Sequence, residues 1–314
     1  MSSRYPGFWG WLYRTFNKRE NQGFASWLSQ GAISKRFIPF VRSYKPDFIV
    51  STHPLPAMLI SRSKEQDIID ILSSIVVTDF GCHSFWIDSE TNYYFVATDA
   101  VAMCLQNYRV KRDQIIVTGI PIESKFSESV NKATLLKKLG LKTNVFTVLI
   151  VGGQLSFEVL QEIITKSFAK NTKIQFLVVA GRDKLFKEQL DTWEQSQPDK
   201  IKTFGFVDNM HEMMSVADVI FTKAGGLTTS ECLAKGLPMI INKVIPGQEE
   251  DNVTYLAAQG AAVRATNADE IFRVILELST DSEKHAKMQT ACAELGRPQS
   301  AKSLAEFVVQ STSK

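Results

Sequence analysis

The stretch Thr222-Lys223-Ala224-Gly225-Gly226-Leu227-Thr228-Thr229-Ser230-Glu231 carries the residue types that hold phosphates and hydroxyls. An apolar run, Val219-Ile220-Phe221, precedes it and a helical pattern from Ser230 to Lys235 ends it, so it reads as strand, tight turn and helix N-terminus. Paired glycines at such a turn let backbone N–H groups approach a phosphate, and the helix dipole favours its charge. Glu231, one turn into the helix, can accept from the two hydroxyls of a ribose; its plainer role is a first-turn acid complementing the dipole. Lys223 either neutralises a diphosphate or is a surface cation, and Thr228 either adds a hydroxyl to the phosphates or caps the helix. Gly236-Leu237-Pro238 and then Pro246-Gly247-Gln248-Glu249-Glu250-Asp251-Asn252 follow. The second block opens a helical pattern running to Gln259. Asn252 shares a helical face with Gln248 and Glu249, and the three offer polar groups to a sugar. Together these residues read as a site for a nucleotide-sugar.

The elements that must position this chemistry are short β-rich runs alternating with helical patterns, which predicts an α/β protein with mainly parallel sheets. Strands are expected at Asp47–Ser51, Ser74–Asp79, Tyr94–Ala97 and Ile115–Thr118, and then at Phe146–Val151, Gln175–Ala180, Ile201–Phe204, Val219–Thr222, Met239–Ile241 and Ala261–Val263. The second set makes a doubly wound sheet, which binds ligands outside the carboxyl ends of its strands. Gly152-Gly153, Gly205-Phe206 and Gly225-Gly226 all follow strand ends and so converge on one rim. Four segments result: 1–121, a linker at 122–144, a nucleotide-sugar-binding domain at 145–297, and a C-terminal helix at 298–314.

Composition narrows the classes. At 314 residues, 44% hydrophobic and 22% charged, the chain is an ordinary globular protein of about two domains. A net charge of +3 is too small to imply nucleic acid. No apolar run approaches the ~20 residues of a membrane span, and no secretion signal is visible, which predicts a cytoplasmic protein. Cys82, Cys104, Cys232 and Cys292 are scattered without metal-like spacing and read as reduced buried thiols. His53 reads as a loop residue, and His211 and His285 as surface helix positions. No Asp-x-Asp motif is present, so neither a catalytic metal nor a cofactor is expected.

The motifs resemble the donor half of the lipid-directed glycosyltransferases of the GT-B fold. The nearest branch is the monogalactosyldiacylglycerol synthase and processive diacylglycerol glucosyltransferase family, and MurG-type enzymes are more distant. The likeness includes Val77-Thr78-Asp79-Phe80 with His83 and Trp86, Tyr94-Phe95-Val96-Ala97-Thr98, Val117-Thr118-Gly119-Ile120-Pro121-Ile122, and Gly205-Phe206-Val207. It implies two Rossmann-like domains facing a cleft, with the last helix packed back on the first domain. Gly205, Phe206 and Val207 would form the uracil-binding turn. Gly153, Lys223, Gly225, Gly226, Thr228 and Glu231 would hold the nucleotide, and Gln248, Glu249 and Asn252 the hexose. The reaction implied is inverting transfer of glucose or galactose from UDP-glucose or UDP-galactose to diacylglycerol.

Two departures from the family pattern stand out. The family opens with a strand, a Gly-rich turn containing His, and a helix; nothing before Asp47 reads as that unit, so the first domain is expected to be incomplete. That leaves Asp79 and His83, just after a strand, to orient the acceptor or serve as base, or His83 simply to pack. After Val151, Leu155 and Phe157 are bulkier than the family's small residues. An inactive remnant that binds UDP-sugar or membrane, a UDP-N-acetylglucosamine:polyprenyl-lipid transferase and a UDP-sugar epimerase are the alternatives.

Residues 4–42 interleave large aromatics with bases. Trp9, Trp11, Tyr13, Phe16, Phe24 and Trp27 alternate with Arg4, Arg14, Lys18, Arg19, Lys35 and Arg36. Trp and Tyr favour the headgroup region and bases attract anionic lipids, so the segment reads as a peripheral contact with the inner membrane face. An amphipathic helix pair packed on the first domain has the same pattern.

Overall fold

A computed structural model describes residues 32–152, 155–170, 173–198, 200–242 and 248–313. The aromatic–basic positions Trp9, Trp11, Tyr13, Arg14, Phe16, Lys18, Arg19 and Trp27 lie outside the described residues, as do Gly153, Pro246 and Gly247. The chain divides into two compact units. One comprises residues 1–122, 245–252 and 299–314, the other 123–244 and 253–298.

The first unit is built on a parallel sheet of four strands among the described residues: β1 (Phe48–Ser51), β2 (Leu72–Val76), β3 (Tyr93–Val96) and β4 (Ile115–Val117), in that order. Helices Pro54–Glu65 and Asp99–Asn107 connect neighbours, capped by the side chains of His53 and Thr98. A cap of this kind satisfies an N–H that the helix itself leaves unpaired. His53 is thus a helix cap, its Nδ1 accepting from the Leu55 N–H. β2 ends at Val76 rather than at Asp79. Val77 still donates to Phe95, and Thr78 and Asp79 leave the sheet as loop. Ile75, Tyr94, Val96, Val101, Leu105 and Trp86 make the core between sheet and helices. The helix Ser300–Thr312 belongs to this unit. Phe307 meets Tyr93 and Phe95 edge-on at 4.9 and 5.4 Å, and the Ser300 hydroxyl donates to Ile120 O at 2.8 Å.

The cysteine expectation needs correction. Cys82 and Cys104 are joined in a disulfide, with Cα atoms 6.2 Å apart. Cys82 follows β2 and Cys104 sits in the helix after β3. Parallel pairing of those strands brings together two residues 22 apart in sequence, which no short Cys spacing announces. Cys232 and Cys292 are free and buried, and burial pushes both thiols up, Cys292 to about 12.

The second unit holds a six-stranded parallel sheet in the order β10-β9-β8-β5-β6-β7. Its strands are β5 (Phe146–Val151), β6 (Ile174–Val179), β7 (Ile201–Phe204), β8 (Val219–Thr222), β9 (Met239–Ile241) and β10 (Ala262–Arg264). Every residue of β6, β8 and β9 is buried, as strands covered on both faces require. β5 pairs with β6 on one side and β8 on the other, so the strand order reverses there. Ligands bind outside the carboxyl ends of strands at such a switch point. Leu155 and Phe157 pack against the core, Phe157 edge-on to Trp193 at 5.7 Å, which accounts for their bulk. Gly152, ending β5, lies so close to β6 that a Cβ there would come within 2.7 Å of Val179 O; only glycine fits.

Candidate functional site

The segments leaving β7 and β8 carry the second unit's described candidate residues, at the carboxyl ends of the parallel strands. The helix after β8 runs Gly226–Ala234, with Gly225 as its N-cap and no side chain capping it. It starts four residues before the expected pattern, because Thr229 and Ser230 turn their hydroxyls back onto Gly225 O and Gly226 O and join the helix. This start changes three roles. Thr228 is the third helical residue, not the cap. Glu231 lies in the second turn, too far along to be a first-turn acid serving the dipole. Gly225 has φ −73, open to any residue, and among the described residues a Cβ there would meet only the Lys223 side chain, at 3.6 Å. Glycine is therefore not needed for a tight turn. What its missing side chain provides is open approach to the first N–H groups, with the Lys223 stem alongside.

Glu231 is half-buried, and none of the described residues donates a hydrogen bond to its carboxylate. Burial pushes it up to about 7, the Glu123 carboxylate adds to the shift, and Lys125 opposes it. Lys125 pairs with Glu123 at 2.7 Å. That pair was not singled out in the sequence. It lies in the segment after Ile122, more than 100 residues before Glu231, and only the fold puts it nearby.

Phe206, after β7, is 64% exposed, and the Arg182 guanidinium lies 4.8 Å from its ring centroid. A large exposed aromatic steadied by a cation offers a flat face to a planar ring. Arg182 too escaped the sequence reading, although Gly181-Arg182 follows β6 as the other rim pairs follow their strands. Gly205 and Val207 flank Phe206 and are partly exposed.

In the first unit, Asp79, Gln248 and Asn252 come together. Gln248 Nε2 donates to Asp79 Oδ2 at 2.9 Å and Asn252 Nδ2 to Oδ1 at 3.4 Å, while the Phe80 N–H donates to Asn252 Oδ1 at 2.7 Å. Burial raises Asp79 to about 6 against the lowering effect of these bonds. These contacts tie the start of the helix at Gln248 to the first unit. Gln248 is exposed, Glu249 is partly exposed in the first turn of its helix, and Asn252 is 1% exposed. His83 is also 1% exposed. Its Nδ1 accepts from the Phe85 N–H, so the neutral ring carries its proton on Nε2 and offers a donor there. Neither Asp79 nor His83 is poised as a free base. Among the described residues no group of three His, Cys, Asp or Glu is arranged to hold a metal, and no helix is long and apolar enough to cross a membrane. His211 stands edge-on to Phe126 at 6.1 Å, and His285 Nε2 contacts Asp218 O at 2.8 Å; both are partly buried.

Comparison with known proteins sets this geometry in context. Residues 1–122 match the family model for monogalactosyldiacylglycerol (MGDG) synthase, and residues 147–304 match that for the glycosyltransferase family 28 C-terminal domain. A processive diacylglycerol beta-glucosyltransferase of Bacillus thuringiensis is 33% identical over 303 residues, covering 95% of this chain and 77% of the relative. Among solved structures, S. aureus MnaA with UDP aligns at a TM-score of 0.63 and 14% identity, over 90% of this chain and 80% of that one. Acinetobacter baumannii MurG aligns at 0.61 and 14% identity, over 87% and 77%. At that identity the structural likeness speaks for the fold alone.

Proposed function

Since the chain belongs to the family of MGDG synthases and processive diacylglycerol glucosyltransferases, with their GT-B fold, it is a glycosyltransferase, and we propose that it moves a hexose from a UDP-sugar to diacylglycerol. The observation that carries the donor assignment is Glu231. A half-buried carboxylate with no donor among the described residues, beside a helix N-terminus whose N-cap is glycine, suits vicinal ribose hydroxyls next to a diphosphate. Lys223 and the first-turn N–H groups would take up the charge on the departing UDP. Phe206 would cover the uracil. The fold shared with the UDP-bound S. aureus structure is compatible with the nucleotide, and the B. thuringiensis relative's name supports diacylglycerol over a polyprenyl lipid.

In the reaction, the acceptor hydroxyl oxygen bonds to the anomeric carbon as the bond to UDP breaks, and the hydroxyl proton leaves to a base. In-line displacement from an α-linked donor gives a β-glycoside. The reading gives the base role to neither Asp79 nor His83. It places the protein at the membrane surface. In the helix Ala32–Tyr44, Phe40 and Tyr44 stack at 5.7 Å, both exposed, among the exposed bases Lys35, Arg36 and Arg42. Such a face suits an anionic lipid surface.

The test is incubation with diacylglycerol vesicles and radiolabelled UDP-glucose or UDP-galactose, read by thin-layer separation. Label in lipid is expected. UDP binding without transfer would move the assignment to a binding protein, and absence of both would end it.

A further inference from the structure

Three side chains and one backbone amide in the first unit form a chain of hydrogen bonds with a fixed polarity. It begins at the Phe80 N–H, which can only donate. The group facing it on Asn252 must therefore be the amide oxygen, at 2.7 Å. That turns the Asn252 amino group to Asp79 Oδ1, at 3.4 Å. Asp79, ionised, can only accept, so the group Gln248 offers to Oδ2 at 2.9 Å is its amino group. The Gln248 carbonyl oxygen is left facing away from Asp79, on an exposed side chain. The loop and the helix approach closely at this junction: a Cβ added at Gly81 would fall 2.6 Å from the Asp251 Cβ, so only glycine allows the contact.

We propose that Asp79 is a positioning residue for hexose recognition, holding the Gln248 amide so that its oxygen, not its amino group, meets the sugar hydroxyls. The proposal rests on the reading of Gln248 as a hexose contact. Its consequence is selectivity: hydroxyls donate to an oriented acceptor, and a site built around that acceptor loses affinity when the polarity is reversed.

Asp79→Asn reverses it. The new side chain keeps its oxygen toward the Asn252 amino group, so its own amino group faces Gln248. Gln248 must turn over to accept, and it then presents N–H groups to the sugar. Adding Gln248→Glu to that variant moves the carboxylate across the contact. One of its oxygens accepts from position 79 while the other restores an acceptor toward the hexose. Gln248→Glu alone sets two carboxylates against each other.

The experiment measures Kd for UDP and for UDP-hexose by calorimetry, and KM and kcat with diacylglycerol vesicles, on wild type, both single variants and the double variant. For Asp79→Asn, the KM and Kd for UDP-hexose are expected to rise about tenfold or more, with the Kd for UDP and kcat within about threefold. The double variant is expected to recover most of the loss. Collapse of kcat at unchanged KM would overturn the positioning role and make Asp79 the base. Equal weakening of UDP and UDP-hexose, or no recovery in the double variant, would reduce Asp79 to a structural group. A wild type that binds UDP and UDP-hexose alike would instead remove the reading of Gln248. A wild-type preference for UDP-hexose that survives Asp79→Asn would sink the positioning role alone.

Discussion

Asp79 in the first unit and Glu231 in the second are both carboxylates that burial lifts, to about 6 and about 7. Their surroundings differ in one respect. Asp79 accepts from Gln248 on one oxygen and from Asn252 on the other, so both oxygens are engaged inside the protein. Glu231 receives no hydrogen bond from the described residues, and the charges that act on it, Glu123 and Lys125, are engaged with each other. Burying a charge without a partner is costly, and folded chains tolerate it where a ligand supplies the missing donors. The contrast separates a carboxylate engaged by other side chains from one that keeps its acceptor capacity for a ligand.

Replacing each carboxylate tests the contrast most severely. Glu231→Ala should weaken UDP about a hundredfold by calorimetry, as expected for two hydrogen bonds to a charged group, while Asp79→Asn leaves UDP binding in place. Equal losses would erase the distinction. Asn252→Ala should cost about 2–3 kcal/mol in urea unfolding, since it removes the oxygen that accepts from the Phe80 N–H and a bond to Asp79. Phe206→Ala should reduce UDP affinity by roughly tenfold through lost stacking, without a change in unfolding midpoint, because the ring is exposed.

Smaller effects come from pH. Glu231 is raised in the folded state from 4.5 to about 7, so folding favours its protonated form. The stability this contributes is complete below 4.5 and is lost as pH rises through about 7. Glu231→Gln should therefore melt a few degrees above wild type at pH 8 and nearly with it at pH 4, while binding UDP poorly at both. The smallest expected effect is none at all. A chelator should leave the transfer rate unchanged if backbone N–H groups and Lys223 suffice for the leaving diphosphate.

How much of this the sequence shows depends on the range of the interaction. β5, β8 and β9 lie at the expected residues because strands buried on both faces appear as apolar runs between turn signals, and β7 does so as a short alternating edge strand, Ile-Lys-Thr-Phe, ahead of Gly205. The second sheet's rim was legible because Gly152, Gly205 and Gly225 each follow a strand end. The start of the Gly226 helix was less so, since Thr229 and Ser230 read as turn residues until their hydroxyls are seen to bond within the helix. Contacts across long stretches of chain left no local mark. Gln248 lies 169 residues from Asp79, Arg182 sits one strand away from Phe206, and Cys82 meets Cys104 only through the pairing of β2 and β3. Spacing along the chain cannot report a polarity relayed from a backbone amide through two side chains.

The most direct measurement is calorimetry of UDP and 2′,3′-dideoxy-UDP against wild type and Glu231→Gln. If Glu231 seats the ribose, wild type binds UDP far more tightly than the dideoxy analogue, and the variant binds both weakly and alike. A wild type that treats the two nucleotides equally, or a variant that keeps the preference, would contradict the assignment of Glu231 on which the account of the donor site stands.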